Sequence, residues 1–265
     1  MPEGHTIHRA AHDQRPMLVG KTLSVSSPQG RFVDGATRLD GRICSAIEAY
    51  GKHLLYQFED DAHLHIHLGL YGQFRTAQSP APEPRGAVRV RMVSESHVVD
   101  INGPNTCKVL DGAGLAELVN RIGPDVLRLD AEPQRAFARI RKSRSPIGQL
   151  VMDQSVMAGI GNIYRSEILW RQGIHPDVPG QSIDETRFAA IWADAVKLLM
   201  MGVKHNAIIT VEMGKASNSK YRERVNIFGK SHCPRCQSAI RQYEMAGRRV
   251  FVCDNCQPMQ LHKTP

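Results

Sequence analysis

The chain has 265 residues, of which 42% are hydrophobic and 23% are charged, and its formal net charge is +8. This composition is ordinary for a globular protein, and the length suffices for one large domain or two average ones. No run approaches the roughly 18 consecutive apolar residues of a membrane-spanning helix, which excludes an integral helical membrane protein. The start lacks the basic-then-apolar layout of a secretory signal, so we expect a cytoplasmic protein without membrane partners.

The positive charge is concentrated in two stretches. From residue 215 to the C-terminus, ten Lys and Arg residues stand against three acidic ones, a balance of +7 that is nearly the whole surplus. A second run, Arg135–Arg144, holds five basic residues and no acidic one. Such clusters often face a polyanion, because neutralising phosphates releases condensed counterions. A solvated surface is the alternative for either cluster, so charge alone does not identify nucleic acid.

The first third of the chain is predicted to be rich in β-strands after one opening helix. Thr6–Leu18 has apolar residues at helical spacing and predicts that helix. Alternating segments predict the strands that follow it, which are Ile43–Glu48, Leu54–Phe58, His63–Leu68 and Val88–Val93. Ser79–Gly86, with its three prolines, predicts a loop.

From about residue 130 the pattern becomes helical. Ile147–Val156 and Ile163–Gln172 predict two helices joined by a glycine-containing turn, with Asn162 as the N-cap of the second. A helix N-terminus with free amides is a natural phosphate site, although an ordinary helical hairpin would have the same pattern. A third helix is predicted over Asp184–Met201, opened by a capping box of Ser182 with Glu185.

The C-terminal segment contains two C-x2-C pairs separated by sixteen residues: Cys233, Cys236, Cys253 and Cys256. Four thiolates at this spacing suit a structural, tetrahedral Zn²⁺ with no open position. The alternative, redox-active dithiols, lacks the surrounding βαβ pattern. Ile240–Tyr243 and Arg249–Val252 alternate enough to predict a β-hairpin, whose tip would present Arg248.

The second residue offers a nucleophile. Initiator methionine before a small residue is commonly removed, which would leave Pro2 with a free secondary amine. Terminal amines titrate about two pH units below lysine, and the positive end of a following helix disfavours the ammonium form further. Such an amine can attack a sugar carbon to form an iminium, with the adjacent Glu3 as acid–base partner. Most Met-Pro starts have no such role, so this hypothesis needs support from the rest of the chain.

That support comes from five motifs that occur in one order. They are Pro2-Glu3-Gly4, Gly51-Lys52, His67–Gly72, Gly159–Tyr164 followed by Glu167, and the terminal cysteine pairs. Together they resemble the formamidopyrimidine-DNA glycosylase and endonuclease VIII family over essentially the whole chain. The Pro-Glu-Gly-His-Thr start is most similar to actinobacterial endonuclease VIII-type members.

The resemblance implies an α+β multidomain fold. It implies an N-terminal catalytic β-sandwich domain with an opening helix over residues 1–129, a helix–two-turn–helix DNA-binding domain over 130–225, and a zinc-ribbon β-hairpin over 226–265. It also implies a monomeric, bifunctional DNA glycosylase and lyase of base excision repair. Such an enzyme acts on damaged DNA, excises an oxidised base and cleaves the strand by β,δ-elimination. One structural Zn²⁺ is implied as the cofactor.

The resemblance also implies the catalytic residues. Pro2 matches the nucleophile that forms the Schiff base, and Glu3 matches the proton-transfer residue. Lys52 matches a lysine on a strand near the site that contacts phosphates and assists catalysis.

Five further residues match DNA contacts of the family. His67, Asn162 and Arg248 match residues that bind the DNA backbone. Leu70 and Tyr71 match the wedge that fills the gap left by an extruded base. A sugar carbon in a stacked duplex cannot be reached, so the nucleotide must be flipped out, and an apolar wedge offsets the unstacking.

Two departures from the family pattern affect the expected substrate. Thr6 stands where many members have a glutamate near the nucleophile. Asn102–Cys107 lacks the Arg and Phe that formamidopyrimidine-type enzymes insert opposite the lesion. We therefore expect oxidised pyrimidines, more than 8-oxoguanine, as principal substrates. The loop that caps the lesion is expected within Ala207–Arg224.

Three alternatives stay open on the sequence. A non-catalytic zinc-ribbon protein that binds nucleic acid would explain the charge and the cysteines, but not Pro2, Glu3 and Lys52. A family member could also cleave abasic sites without glycosylase activity. Finally, His63, His65 and His67 alternate on one strand face and could form a metal site. Three residues on a flat face converge poorly on one ion, however.

Overall fold

The structure is a computed structural model that describes residues 2–212 and 221–259. The chain divides into two compact units between Arg121 and Ile122. Within the described residues, none of the helices combines the length and the apolar character needed to cross a membrane.

The first unit contains three helices and eight strands. The helices are α1 (Gly4–Leu18), α2 (Val33–Leu39) and α3 (Gly112–Arg121). The strands are β1 (Thr22–Ser26), β2 (Arg42–Tyr50), β3 (His53–Phe58), β4 (Ala62–His67), β5 (Gln73–Gln78), β6 (Val88–Val93), β7 (His97–Asn102) and β8 (Thr106–Leu110). The predicted opening helix, the four predicted strands and the loop at 79–86 are confirmed.

The strands form the two layers of a β-sandwich, as the resemblance implied. One layer contains β2, β3, β4 and β8, and the other contains β1, β6, β7 and β5. Strand β1 joins them, because Thr22 and Leu23 pair with β2 while Ser24–Ser26 pair with β6. The inward residues of both layers pack with Ile7, Ala11 and Leu18 of α1 into one hydrophobic core.

Helix α1 runs antiparallel to β2. Arg15 Nε donates a hydrogen bond of 2.8 Å to the Ile47 carbonyl, and the amide of Gly20 donates to Cys44 O at 2.8 Å. From Arg15 back to Glu3 the helix spans about 18 Å, and from Ile47 forward to Lys52 the strand spans about 16 Å. The start of α1 and the turn that follows β2 therefore lie at the same end of this unit.

In the part of the second unit that the structure describes, there are four helices and a hairpin. These are α4 (Pro133–Arg141), α5 (Ile147–Leu150), α6 (Asn162–Arg171), α7 (Glu185–His205), β9 (Arg241–Met245) and β10 (Arg248–Val252). Short 3-10 turns occupy Gly180–Ser182 and Tyr221–Arg224. The helix predicted over Ile163–Gln172 is confirmed. The further division of this unit near residue 225 stays a prediction.

One predicted helix end and one predicted helix cap are wrong. The helix predicted over Ile147–Val156 stops at Leu150, because the Asp153 carboxylate accepts hydrogen bonds from the amide and hydroxyl of Ser155 and offers the backbone a turn instead. Helix α7 is capped by Asp184, whose side chain accepts from the Arg187 amide at 2.8 Å, and the predicted capping box of Ser182 with Glu185 does not form.

The hairpin turn contains an alanine in a left-handed conformation. Strands β9 and β10 pair from Met245–Arg248 outward, so the turn has two residues, Ala246 (φ 51°) and Gly247 (φ 68°). Two-residue hairpins with positive φ at both positions favour Asn-Gly, because a Cβ is strained there and Asn tolerates the conformation.

We expect Ala246→Asn to stabilise this unit by on the order of 1 kcal/mol, which corresponds to a melting temperature about 2–4 °C higher. Thermal denaturation of the metal-loaded protein measures the change. Ala239→Asn is the matched control, since Ala239 is exposed in the same segment without a positive φ. Equal stabilisation by both variants would contradict the explanation from backbone strain.

Candidate functional site

The first described residues, Pro2 and Glu3, lead directly into helix α1. Pro2 is half-buried, and Glu3, which is fully buried, is the N-cap residue of α1. The Glu3 carbonyl accepts the Thr6 amide at 2.9 Å, and Thr6 Oγ1 lies 3.3 Å from Nε2 of His5. Burial, and after it the charge of the N-terminus, lowers the pKa of His5 to about 4. A carboxyl group and a neutral imidazole thus lie within three residues of Pro2.

Lys52 lies in a turn and not on a strand, which corrects the position implied by the resemblance. Because Tyr50 pairs with His53, the β2–β3 hairpin has the two-residue turn Gly51-Lys52, in which Gly51 has a φ of 58°. Lys52 is half-buried. The antiparallel packing of α1 on β2 brings this turn to the end of the unit where Glu3 lies.

His67 is the last residue of β4 and pairs directly with His53. Their ring centroids are 4.9 Å apart, and His53 Nδ1 lies 2.8 Å from Nε2 of His65, which is 3% exposed. His53 was not among the site residues predicted from the sequence, and His65 had no predicted functional role. The signal for His53 was its place directly after Lys52 on the neighbouring strand.

The surroundings of these three imidazoles favour the neutral form by lowering the pKa of each ring. Burial, and next the charges of His65 and His67, lowers the pKa of His53 to about 3. Burial, and next the charge of Lys108, lowers the pKa of His65 to about 4. The pKa of His67 is also lowered, first by burial and then by Lys52.

The turn after His67 presents two exposed apolar side chains. Leu70 is 43% exposed and Tyr71 is 90% exposed, in the connection between β4 and β5. Gly69 has a φ of 68°, and a Cβ there would lie 2.8 Å from the Cβ of Asn105. The turn therefore packs closely on the β7–β8 connection and directs Leu70 and Tyr71 outward.

Asn162 is the first residue of α6, and Gly161 is its N-cap, which corrects the predicted N-cap role of Asn162. The physical reason is that the Asn162 side chain is used elsewhere. Its Nδ2 donates to the Arg249 carbonyl at 3.1 Å, and its Oδ1 accepts from the guanidinium of the fully buried Arg165. Asn162 thus fixes the start of α6 against strand β10.

The basic side chains of the second unit are largely at the surface. Arg248 and Arg249 are exposed at the start of β10, directly after the hairpin turn. The predicted basic run is also exposed, on and after α4, through Arg135, Arg139, Arg141, Lys142 and Arg144. These cations can meet a polyanion without moving a buried group.

Glu167 of α6 is fully buried and accepts five hydrogen bonds. Its donors are the Thr210 hydroxyl, the amide and side chain of Asn226, and the amides of Ile227 and Phe228. The Thr210 amide also donates to Arg224 O at 2.8 Å. Of the capping loop expected within Ala207–Arg224, residues 213–220 lie outside the described residues, and Glu167 bonds residues on both sides of that gap.

The four cysteines form a compact cluster that could hold a metal ion. All four Sγ atoms lie within 4.8 Å of one another, with Cys233–Cys256 at 3.7 Å and Cys236–Cys253 at 3.5 Å. A tetrahedron with Zn–S bonds of about 2.3 Å has edges of about 3.8 Å, so the geometry fits zinc. Trp170 Nε1 donates to Cys233 Sγ at 3.4 Å, an outer contact typical of thiolate sites.

The histidines on β4 do not form such a cluster. Within residues 2–212 and 221–259, the four cysteines are the only group of three or more ligating side chains gathered closely enough for a metal. His63 instead lies 3.1 Å from the Asp61 carboxylate.

Comparison with known proteins agrees with this arrangement. Residues 1–106 match the formamidopyrimidine-DNA glycosylase N-terminal domain, and residues 122–213 match the H2TH domain of the same family. The chain is 44% identical to "Endonuclease 8 1" of Mycobacterium tuberculosis, over 97% of this chain and 100% of that protein. The chain belongs to the formamidopyrimidine-DNA glycosylase and endonuclease VIII family. Members of this family are DNA glycosylases with abasic-site lyase activity, and the resemblance found in the sequence is confirmed.

More distant members match over the same length. The formamidopyrimidine-DNA glycosylase of Thermomicrobium roseum is 29% identical over 98% of this chain and 99% of its own. A solved complex of Lactococcus lactis Fpg with DNA containing an abasic site superposes with a TM-score of 0.81 at 23% identity, covering 97% of this chain and 100% of that one. This likeness confirms the fold of the glycosylase.

We expect the purified glycosylase to carry one Zn²⁺ per chain, which native mass spectrometry measures. Cys236→Ser or a strong chelator should release the ion and unfold the ribbon, because so small a module has no core of its own. Trp170 fluorescence should change with the loss, and a Trp192→Phe background isolates that signal. Cys44→Ser and Cys107→Ser are the controls and should retain the metal.

We also expect the glycosylase to lose stability in mild acid. The pKa values of His53 and His65 lie below the unfolded value of about 6.5, so the unfolded chain takes up these protons first. Their contribution is complete above about pH 6.5 and is lost as the pH falls toward 4, by on the order of 2 kcal/mol for each ring at pH 5. Denaturant unfolding at pH 7 and pH 5 measures it. His65→Gln should reduce the difference between the two pH values, and an unchanged difference would contradict this assignment.

Proposed function

We propose that this glycosylase excises oxidised pyrimidines from damaged DNA and then cleaves the strand by β,δ-elimination through a Schiff base on Pro2. The observation that carries the proposal is the gathering of Pro2, Glu3, Lys52 and His67 at one end of the first unit. The 44% identity to a protein named as an endonuclease 8 supports the choice of activity.

The reaction follows from the properties of a terminal secondary amine. With Met1 removed, the Pro2 nitrogen attacks C1′ of the flipped nucleotide, and the glycosidic electron pair leaves with the base. Glu3, buried beside the amine, transfers protons between the sugar and its surroundings. Protonation of O4′ and breakage of the C1′–O4′ bond then open the sugar and give the iminium between C1′ and the Pro2 nitrogen. The iminium withdraws electrons, so that loss of a C2′ proton expels the 3′ phosphate and a second elimination expels the 5′ phosphate. Hydrolysis of the iminium then restores the amine.

The remaining site residues are proposed to bind the DNA. Lys52, His67, Asn162 and Arg248 contact phosphates, which sets the register without reading sequence. One N–H of the Asn162 amide is used on Arg249, so the phosphate would receive the other. Leu70 and Tyr71, already exposed, fill the space left by the flipped nucleotide. The Zn²⁺ ion, bound by the four cysteines, is structural, and the enzyme acts as a monomer.

The preference for pyrimidines rests on the short connection between β7 and β8. Strand β7 ends at Asn102 and β8 begins at Thr106, which leaves only Gly103–Asn105 between them. Three residues without Arg or Phe cannot place large side chains opposite a lesion. Recognition of the opposite base would then be weak, and the Leu70–Tyr71 turn would be the main wedge.

We expect sodium borohydride to trap a covalent adduct between the wild-type enzyme and DNA that contains an oxidised pyrimidine. Pro2→Gly should lose or greatly weaken this adduct, because the secondary amine is gone. Peptide mass spectrometry locates the reduced bond. Pro28→Gly, in the exposed turn after β1, is the matched control and should trap like the wild type.

The choice of DNA distinguishes the alternatives. Trapping on oxidised pyrimidines and weak trapping on 8-oxoguanine would support the proposed substrate preference, and the reverse order would contradict it. Adducts formed only with abasic DNA would indicate a lyase without glycosylase activity. DNA binding without any adduct would contradict the catalytic proposal and favour a non-catalytic binding protein. Methionine still attached in active protein would contradict the role of Pro2 as the nucleophile.

A further inference from the structure

His53 and His65 lie beside two residues of the proposed phosphate site but have no part in the mechanism given above. His53 follows Lys52 directly and pairs with His67 across the β3–β4 ladder. We propose that His53 is a further hydrogen-bond donor to a DNA phosphate, and that His65 is the positioning residue that fixes its tautomer. This inference rests on the proposed function, since it assumes that DNA binds at Lys52 and His67.

The tautomer follows from the hydrogen bond between the two rings. Two neutral imidazoles 2.8 Å apart share one proton, which lies either on His53 Nδ1 or on His65 Nε2. His65 Nδ1 is buried and has no hydrogen-bond partner among the described residues. Buried N–H groups without an acceptor are rarer than buried acceptors without a donor, so His65 Nδ1 carries the bare lone pair. The proton is therefore on His65 Nε2, which donates to His53 Nδ1.

This assignment leaves His53 with its proton on Nε2. The hydrogen bond that one ring nitrogen makes sets the role of the other, so His53 Nε2–H becomes an obligatory donor. His53 is only half-buried, and His65 occupies its Nδ1 side. The Nε2–H donor therefore lies on the side of the His53 ring that faces away from His65.

The charges around the rings suit an anion. The groups that act on the pKa values of His53, His65 and His67 are, besides the rings themselves, Lys52, Lys108 and Arg121, which are all cations. A further cation here would be repelled by these three. A neutral imidazole adds a donor to the phosphate without that repulsion, so this position favours a ring that stays uncharged.

Binding to duplex DNA with a tetrahydrofuran abasic analogue, followed by fluorescence anisotropy over a range of salt concentrations, tests the donor. His53→Phe keeps a ring against His67 but removes the N–H, and we expect about five- to tenfold weaker binding. The slope of log K against log salt should stay unchanged, because no charge is lost. Lys52→Met should reduce that slope by about 0.9. Unchanged affinity in His53→Phe, or a reduced slope, would overturn the proposal.

Variants at His65 test the positioning role. His65→Leu removes the donor to His53, whereas His65→Gln retains an N–H at nearly the same place. We expect weaker binding in His65→Leu and recovery in His65→Gln. His63→Leu is the matched control, because His63 lies on the same strand face but contacts Asp61, and it should bind like the wild type. Equal binding by both His65 variants would overturn the role of His65.

Nitrogen NMR of the DNA-free protein at pH 7 decides the tautomer independently of function. We expect a protonated Nε2 and an unprotonated Nδ1 in His53, assigned through His53→Phe, and mixed tautomers in His65→Leu. A protonated Nδ1 in wild-type His53 would overturn the inference even if the enzyme traps DNA. If the wild type neither binds nor traps damaged DNA, the proposed function fails, while this measurement still decides the tautomer.

Discussion

The N-terminal part of the site depends on how α1 packs against β2. Pro2, the proposed nucleophile, lies two residues before the first residue of α1, so the start of the helix sets its position. Arg15 bonds the Ile47 carbonyl, and the hydroxyl of the fully buried Tyr56 donates to Gln14 at 2.5 Å. A slip of one residue along the helix axis would move the amine by about 1.5 Å. These two polar contacts therefore set the register between a residue near the chain terminus and a hairpin turn distant in sequence.

The second unit depends in a similar way on buried charges along α6. Arg165 and Glu167 are both fully buried, and a buried ion is tolerated only where hydrogen bonds replace its hydration. Arg165 donates to Asn162 and to the Arg249 carbonyl. Glu167 accepts from Thr210 and from the three residues Asn226–Phe228. One helix thus fixes the hairpin through Asn162 and Arg165, and the flanks of residues 213–220 through Glu167. At the end of α6, Arg235 stacks on Trp170 at 3.9 Å and bonds the last carbonyls, which attaches the cysteine cluster to the same helix.

The elements that the sequence predicted are those with a strong local pattern. Helix α6 is apolar at helical spacing, and β3 and β4 alternate clearly, so local periodicity sufficed. Strand β5 was missed because it is an exposed, polar strand that pairs only with β7. Strand β1 was missed although its buried residues alternate, since five residues give little signal. The helix predicted from Ile147 was too long for another reason. Hydrogen bonds that the Asp153 side chain accepts from Ser155 compete with the helical backbone bonds.

By itself, the sequence determined the family, the four cysteines of the candidate metal site and the candidate nucleophile, because each is a matter of residue identity and spacing along the chain. Only the tertiary structure decided that Glu3 and Lys52 share one end of a unit, that Asn162 bonds Arg249, and that His53 lies between His65 and His67. These relations join residues that are far apart in sequence or on neighbouring strands. Strand register and helix packing, which no local pattern encodes, bring them together.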